Sequence, residues 1–142
     1  MIRVARILMA MAFPFAVFAL TAGAVTAQSY SGSWSATVSR SQHANGTYCI
    51  ALKDNGSLGW PHSGEATILP ESGTTGGTFQ VINGLMVVTF SQPGGTGELG
   101  ALLFTARASN GHIGTGTYEQ FYGSEIDSGV LVFGAKNSCS SQ

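Results

Sequence analysis

The amino-acid sequence predicts an all-β domain behind a cleavable leader: an antiparallel up-and-down barrel of about eight strands carrying one disulfide, with a two-sheet β-sandwich as the alternative. Three observations predict it. Short runs of β-branched, aromatic and aliphatic residues recur with a period of two through the chain after its first 27 residues. Asn-Gly pairs and other turn residues separate those runs at regular intervals. Only two cysteines, Cys49 and Cys139, are present, and they follow an export signal.

The leader comes first. Arg3 and Arg6 form a short basic start, residues 7–20 are apolar and uncharged, and small residues lead to Val25-Thr26-Ala27 before Gln28. The uncharged run falls short of the roughly 20 residues a bilayer-spanning helix needs, and Pro14 interrupts it. Gln28 stands where a lipid-anchored protein would carry cysteine. Residues 1–27 are therefore expected to be a signal peptide and 28–142 a single domain, placed in the periplasm or secreted, with no membrane span after cleavage. Arg3 and Arg6 leave with the leader, so the formal net charge moves from −1 to −3. The four remaining cations, Arg40, Lys53, Arg107 and Lys136, form no basic stripe, which argues against nucleic acid as a partner. Charged residues make up 9% of the chain, against a typical quarter, and glycine numbers 20, a profile suited to tight turns and a hydroxyl-rich outer wall.

Strands are expected at 33–39, 47–53, 65–69, 78–82, 85–91, 99–108, 112–122 and 130–136. Asn83-Gly84 and Asn110-Gly111 supply the two positive φ angles of a type I′ hairpin, and Asp54-Asn55-Gly56 ends the second run. Alternation assigns one face to Trp34, Ala36 and Val38, continued by Tyr48, Ile50 and Leu52, by Phe79 and Val81, and by Met86, Val88 and Phe90. Leu102 and Phe104, then Leu131 and Phe133, complete this core, whose large side chains are sufficient to fill a narrow barrel. If Tyr48, Ile50 and Leu52 point inward, Cys49 points outward, and Cys139 just past the last strand would pin the C-terminal tail to the outer wall. Ile82, Leu85, Val87 and Leu103 fall opposite the core on three consecutive strands and suggest a homo-oligomer or a covered second face. A bilayer-embedded barrel would have the apolar outside too, but the strands are short, the C-terminus is polar and aromatic girdles are missing.

Gly32-Ser33-Trp34 at the start of the first strand resembles the Gly-x-Trp opening of calycin barrels: lipocalins, avidins and bacterial metalloprotease inhibitors. An outward cysteine tying down a C-terminal segment is also similar to lipocalins. That resemblance implies an eight-stranded barrel and a basic residue, Arg107 or Lys136, packed over Trp34. No avidin-like set of biotin contacts is present. The chain also resembles small exported proteins of Gram-negative bacteria, a resemblance that implies no activity.

Candidate chemistry is sparse. His43, His62 and His112 lie in separate segments, and His62 with Glu65 gives His-x-x-Glu in a loop without the three convergent ligands a metal needs, so no metal or cofactor is expected. His43 and His62 read as solvated loop residues, and Glu119, Glu125 and Asp127 as surface charge, the latter two in a turn before the last strand. No nucleophile elbow, phosphate loop or dinucleotide fingerprint appears, so an enzyme is not expected. Asn45-Gly46-Thr47 and Asn55-Gly56-Ser57 fit the glycosylation pattern, but turn geometry accounts for both. Trp60, between Gly59 and Pro61, suits a lid over one barrel end or a ligand contact. Trp60 and His62, with Tyr118, Gln120 and Tyr122, are the candidate ligand contacts; Gly114 and Gly116, in phase with Tyr118, leave room beside it. The functional expectation is a non-catalytic binding module for a small molecule or protein partner. The alternative is an envelope-associated structural protein that self-associates through its apolar outer stripe.

The leader and the cysteine pair generate one prediction. Intact mass of the exported protein should equal the chain from Gln28 less two hydrogens; two alkylatable thiols in unreduced protein would contradict the pairing.

Overall fold

A computed structural model describes residues 28–69, 76–93 and 99–139; the leader lies outside the described residues. Among these, eight strands and no helix are present: β1 (Gly32–Arg40), β2 (Gly46–Asp54), β3 (Ser63–Leu69), β4 (Gly76–Ile82), β5 (Leu85–Pro93), β6 (Leu99–Ser109), β7 (His112–Tyr122) and β8 (Glu125–Lys136). Each pairs antiparallel with its sequence neighbour, and β8 pairs back onto β1 to close the barrel. Closure leaves no free edge in the sheet. It is the barrel that the turn spacing predicts, and the sandwich alternative does not hold.

The two Asn-Gly hairpins form as expected. Asn83 and Gly84 have φ of 51° and 77°, and Asn110 and Gly111 have 50° and 73°, the left-handed pair that matches strand twist in a two-residue turn. The expectation for β8 needs correction, because the strand starts at Glu125 and not at 130. Gly123, with φ of 58°, supplies the turn with Ser124, so Tyr122 pairs with Glu125 and Gln120 with Asp127. Glu125 and Asp127 are thus strand residues.

Alternation fills the interior. Trp34, Phe79, Phe90, Phe104, Ile50, Met86, Leu102, Leu131, Val38, Val88 and Tyr118 are all fully buried. Tyr48 and Val81 pack against this cluster while half-buried. The Phe104 ring centroid lies 5.7 Å from those of Phe90 and Tyr118 and 5.8 Å from that of Tyr48, an aromatic stack across the barrel. Eight strands give a bore just wide enough for side chains, and these side chains take it. Gly116 marks a close backbone approach and does not leave room for a ligand: a Cβ there would lie 1.8 Å from the Thr105 carbonyl oxygen. A register shift between Ala106 and Ala108 puts an extra residue into β7, and Gly114 falls out of phase with Tyr118.

The sequential hairpins give the barrel two distinct ends. At the entry end, where β1 begins and β2–β3, β4–β5 and β6–β7 connect, the N-terminal segment folds across the base. Tyr30 is 3% exposed and its carbonyl accepts the Trp34 indole N–H at 3.0 Å. Its amide donates to Asp54 Oδ2 at 3.2 Å, and its phenol hydrogen-bonds to the Gly111 backbone. Burial is the main reason the Tyr30 phenol titrates above its ordinary range. Neither Arg107 nor Lys136 takes the place over Trp34 that the calycin resemblance implies. Lys136 reaches Ser29, donating to its carbonyl at 3.0 Å, and Arg107 is exposed.

Cys49 and Cys139 are bonded, with Cα atoms 5.8 Å apart. Ser33 Oγ donates to the Cys139 carbonyl, and the Ser138 hydroxyl accepts the Ser35 amide at 2.8 Å, so the C-terminal tail is laid along the outside of β1 as expected. Ile82, Val87 and Leu103 are half-buried on the outer wall and Leu85 is exposed; Ile126, Val130 and Val132 add further exposed apolar side chains on β8.

Trp34 fills the base and donates to the segment that seals it. Trp34→Ala should destabilise the protein by about 3–5 kcal/mol in chemical denaturation; a loss under about 1 kcal/mol, well below the range for a buried aromatic, would contradict its place in the core.

Candidate functional site

The inward alternation of the strands does not stop where the apolar core stops. On β1 the series Trp34, Ala36, Val38 continues to Arg40, and on β8 the series Phe133, Leu131 continues through Gly129 to Asp127. Tyr48 on β2, and Tyr118 and Gln120 on β7, are in phase as well. These side chains meet at the mouth, the end where the β1–β2 and β7–β8 hairpins turn. A cleft of about 260 Å³ opens there, lined by Arg40, His43, Gln120, Glu125 and Asp127.

Arg40 sits between two aromatic faces. Its guanidinium carbon lies 5.6 Å from the Tyr48 ring centroid and 5.4 Å from that of Tyr118. Stacked cations of this kind contribute about 0.5–2 kcal/mol, most when water is excluded. Nη2 donates to the Tyr48 hydroxyl. Nε is buried and has no hydrogen-bond partner among the described residues. Nor does any carboxylate among them lie within ion-pair distance of the guanidinium: the pairs found are His43–Asp127, Lys53–Glu65 and His62–Asp54. Tyr118 donates from its hydroxyl to Gln120 Oε1 at 2.5 Å. Burial first, then the neighbouring Tyr48 phenol, push the Tyr118 phenol far above its usual range against the opposing pull of Arg40, so it is a neutral donor.

Asp127 organises the β1–β2 loop. It is 4% exposed, and its Oδ1 accepts the Ser41 hydroxyl at 3.1 Å and the Gln42 amide at 3.2 Å. Oδ2 faces His43 Nδ1 at 3.0 Å, and Arg40 N donates to Asn45 Oδ1 at 3.0 Å to close the same loop. Burial raises the Asp127 pKa, but the hydrogen bonds from His43, Ser41 and Gln42 outweigh it and hold the carboxyl below its ordinary value. Asp127 is therefore a buried structural carboxylate, which corrects its reading as surface charge. His43 has a carboxylate partner although its ring is mostly exposed. Glu125 is exposed at the rim of the cleft and Glu119 is half-buried.

The expected ligand contacts are not one site. Tyr118, Gln120 and Tyr122 lie toward the mouth end of β7, whereas Trp60 and His62 belong to the β2–β3 connection at the entry end. His62 Nδ1 is 2.9 Å from Asp54 Oδ2, and its ring meets Tyr30 edge-on at 5.2 Å, so it buttresses the base. Trp60 is 44% exposed, and it is Tyr30, 3% exposed, that joins the core cluster at this end. The loop carrying Trp60 is held by fully buried Ser63, whose hydroxyl donates to the Trp60 carbonyl at 3.0 Å and whose own carbonyl accepts the Asn55 and Gly56 amides.

No protein-family model, curated protein or solved structure matches this chain. The chemistry of the mouth is therefore read from its own atoms. It offers a guanidinium with a donor unmet among the described residues, a histidine–carboxylate pair, an amide, and a rim carboxylate that forms no ion pair among them. Among the described residues no hydroxyl or thiol is hydrogen-bonded to either His43 or His62, and no three His, Cys, Asp or Glu side chains converge as a metal site would require. The geometry is suited to holding and orienting a polar molecule.

Asp127 generates a pH prediction. A carboxyl whose pKa is lowered on folding stabilises the native state fully above about pH 4, its unfolded value, and loses that contribution as pH falls through the lower native value. Asp127→Asn should therefore flatten the acid limb of stability against pH in denaturant titrations. An acid limb of unchanged steepness would contradict the role given to this carboxylate.

Proposed function

We propose that the protein is an exported, calycin-like binding module that takes a small molecule at its mouth and does not transform it. One observation carries this reading: Arg40 is drawn inside the barrel end with its Nε buried and no acceptor among the described residues. Leaving a buried donor unmet costs about 1–3 kcal/mol, more for a charged group, and the same guanidinium side chain lines the cleft, where a ligand acceptor offsets part of that cost. The filled interior supports the placement, since Phe90, Phe104 and Tyr118 occupy the bore beneath the mouth. Gly32-Ser33-Trp34 and the closed eight-strand barrel support the calycin-like part of the reading. The leader and the Cys49–Cys139 bond support an oxidising, extracytoplasmic location.

A second reading, self-association through the outer wall, is favoured by exposed Leu85 beside half-buried Ile82, Val87 and Leu103. Native mass spectrometry of protein recovered from the periplasm separates the two. The binding reading predicts a small co-purifying mass on the wild type that Arg40→Gln lacks. A wild type that carries no added mass contradicts it, and a dimer without added mass favours the second reading.

A further inference from the structure

Resting on the reading of the mouth as a binding site, we propose that its ligand is a small zwitterion, a molecule of amino-acid size carrying one carboxylate and one ammonium group. Three features of the cleft select that chemistry together. First, Arg40 lines the cleft without an ion-pair partner among the described residues, its Nε lacking an acceptor and its Nη2 given only to a phenol hydroxyl, and a carboxylate is the group that a guanidinium binds most strongly. Second, the cleft also holds two carboxylates. Both Asp127 oxygens are engaged by the β1–β2 loop, through Ser41, Gln42 and His43. Glu125 stands at the rim with neither an ion pair nor a hydrogen bond among the described residues, so one acceptor charge faces the cleft uncommitted. Third, the charges do not balance. One guanidinium, that of Arg40, faces two carboxylates, Asp127 and Glu125.

A simple anion entering this cleft meets that excess of carboxylates, and a phosphate dianion meets it twice over. A simple cation satisfies Glu125 but leaves Arg40 without an anionic partner. A dipolar ligand places its carboxylate on Arg40 and its ammonium toward Glu125, and it brings no net charge of its own. The volume of about 260 Å³ suits a metabolite rather than a lipid chain, and the packed rings of Tyr48, Tyr118 and Phe104 take up the bore beneath Arg40.

The test follows the Nε–Hε resonance of Arg40 in the full mature protein while four isosteric probes are titrated. L-alanine carries both groups, propionate lacks the ammonium, ethylammonium lacks the carboxylate, and propionamide carries neither charge. The expected result is a saturable shift with L-alanine and binding at least about tenfold weaker for each of the other three. Glu125→Gln, a rim substitution that leaves the packed core untouched, should weaken L-alanine about tenfold and leave propionamide unchanged. Propionate or propionamide binding as well as L-alanine overturns the zwitterion while leaving the mouth a binding site. If all four probes are silent but a co-purifying mass is still lost in Arg40→Gln, the zwitterion is likewise overturned and the binding reading stands. Silence from all four together with no co-purifying mass removes both.

Discussion

Closure of eight strands into one narrow barrel is the constraint on which the rest of this structure depends. It makes every second residue of each strand point inward, and it makes the bore too narrow to hold more than those side chains. The middle layers are therefore spent on packing, with Phe79, Phe90, Phe104, Met86 and Leu131 all buried there. The alternation persists at the ends of the strands, and there it forces polar side chains toward the axis. Arg40 is inside the mouth because it is two residues beyond Val38, and Asp127 because it is four before Leu131. A charge placed in that way must find partners nearby. For Arg40 these are two aromatic rings and one phenol hydroxyl, which engage only part of its donor set.

The two ends solve the same problem differently. Each uses a histidine–aspartate contact of about 3 Å to tie a connection to the barrel, His62–Asp54 at the entry end and His43–Asp127 at the mouth. At the entry end the tie secures Tyr30, whose ring and backbone groups seal the base above Trp34. At the mouth it secures a loop beside an unfilled cleft. Among the described residues, one end is finished as structure and the other keeps a donor without an acceptor and a rim carboxylate without an ion pair. The proposed binding site lies at that second end.

Much of the fold was legible because period two and Asn-Gly turns are local signals. Trp34, Ile50, Val88 and Phe104 could be placed inside from their spacing alone. The start of β8 was not legible, since Gly123-Ser124 is a less distinctive turn than Asn-Gly and the following Glu-Ile-Asp-Ser-Gly is mostly polar. Its polarity reflects the mouth it lines, where inward Asp127 meets loop donors. The partners of Asp127, Ser41, Gln42 and His43, are more than 80 residues away in sequence, and no spacing rule reports such a pair. Arg40 was legible in principle: a cation in phase with Trp34, Ala36 and Val38 is an inward cation. The separation of Trp60 from Tyr118 was legible too, because in an up-and-down barrel the β2–β3 connection and the last turns of β7 lie at opposite ends. Which end is sealed was not, because that depends on Tyr30 folding back over the base through long-range hydrogen bonds.

The central claim is that Arg40 is held inside the mouth between Tyr48 and Tyr118 and not released to solvent. Proton chemical shifts of its side chain measure this directly, since two stacked rings shield the Cδ protons. The account predicts Arg40 Cδ resonances displaced upfield from free arginine, nuclear Overhauser contacts to both rings, and loss of part of the displacement in Tyr118→Leu. Arg40 resonances at free-arginine positions without ring contacts would contradict it.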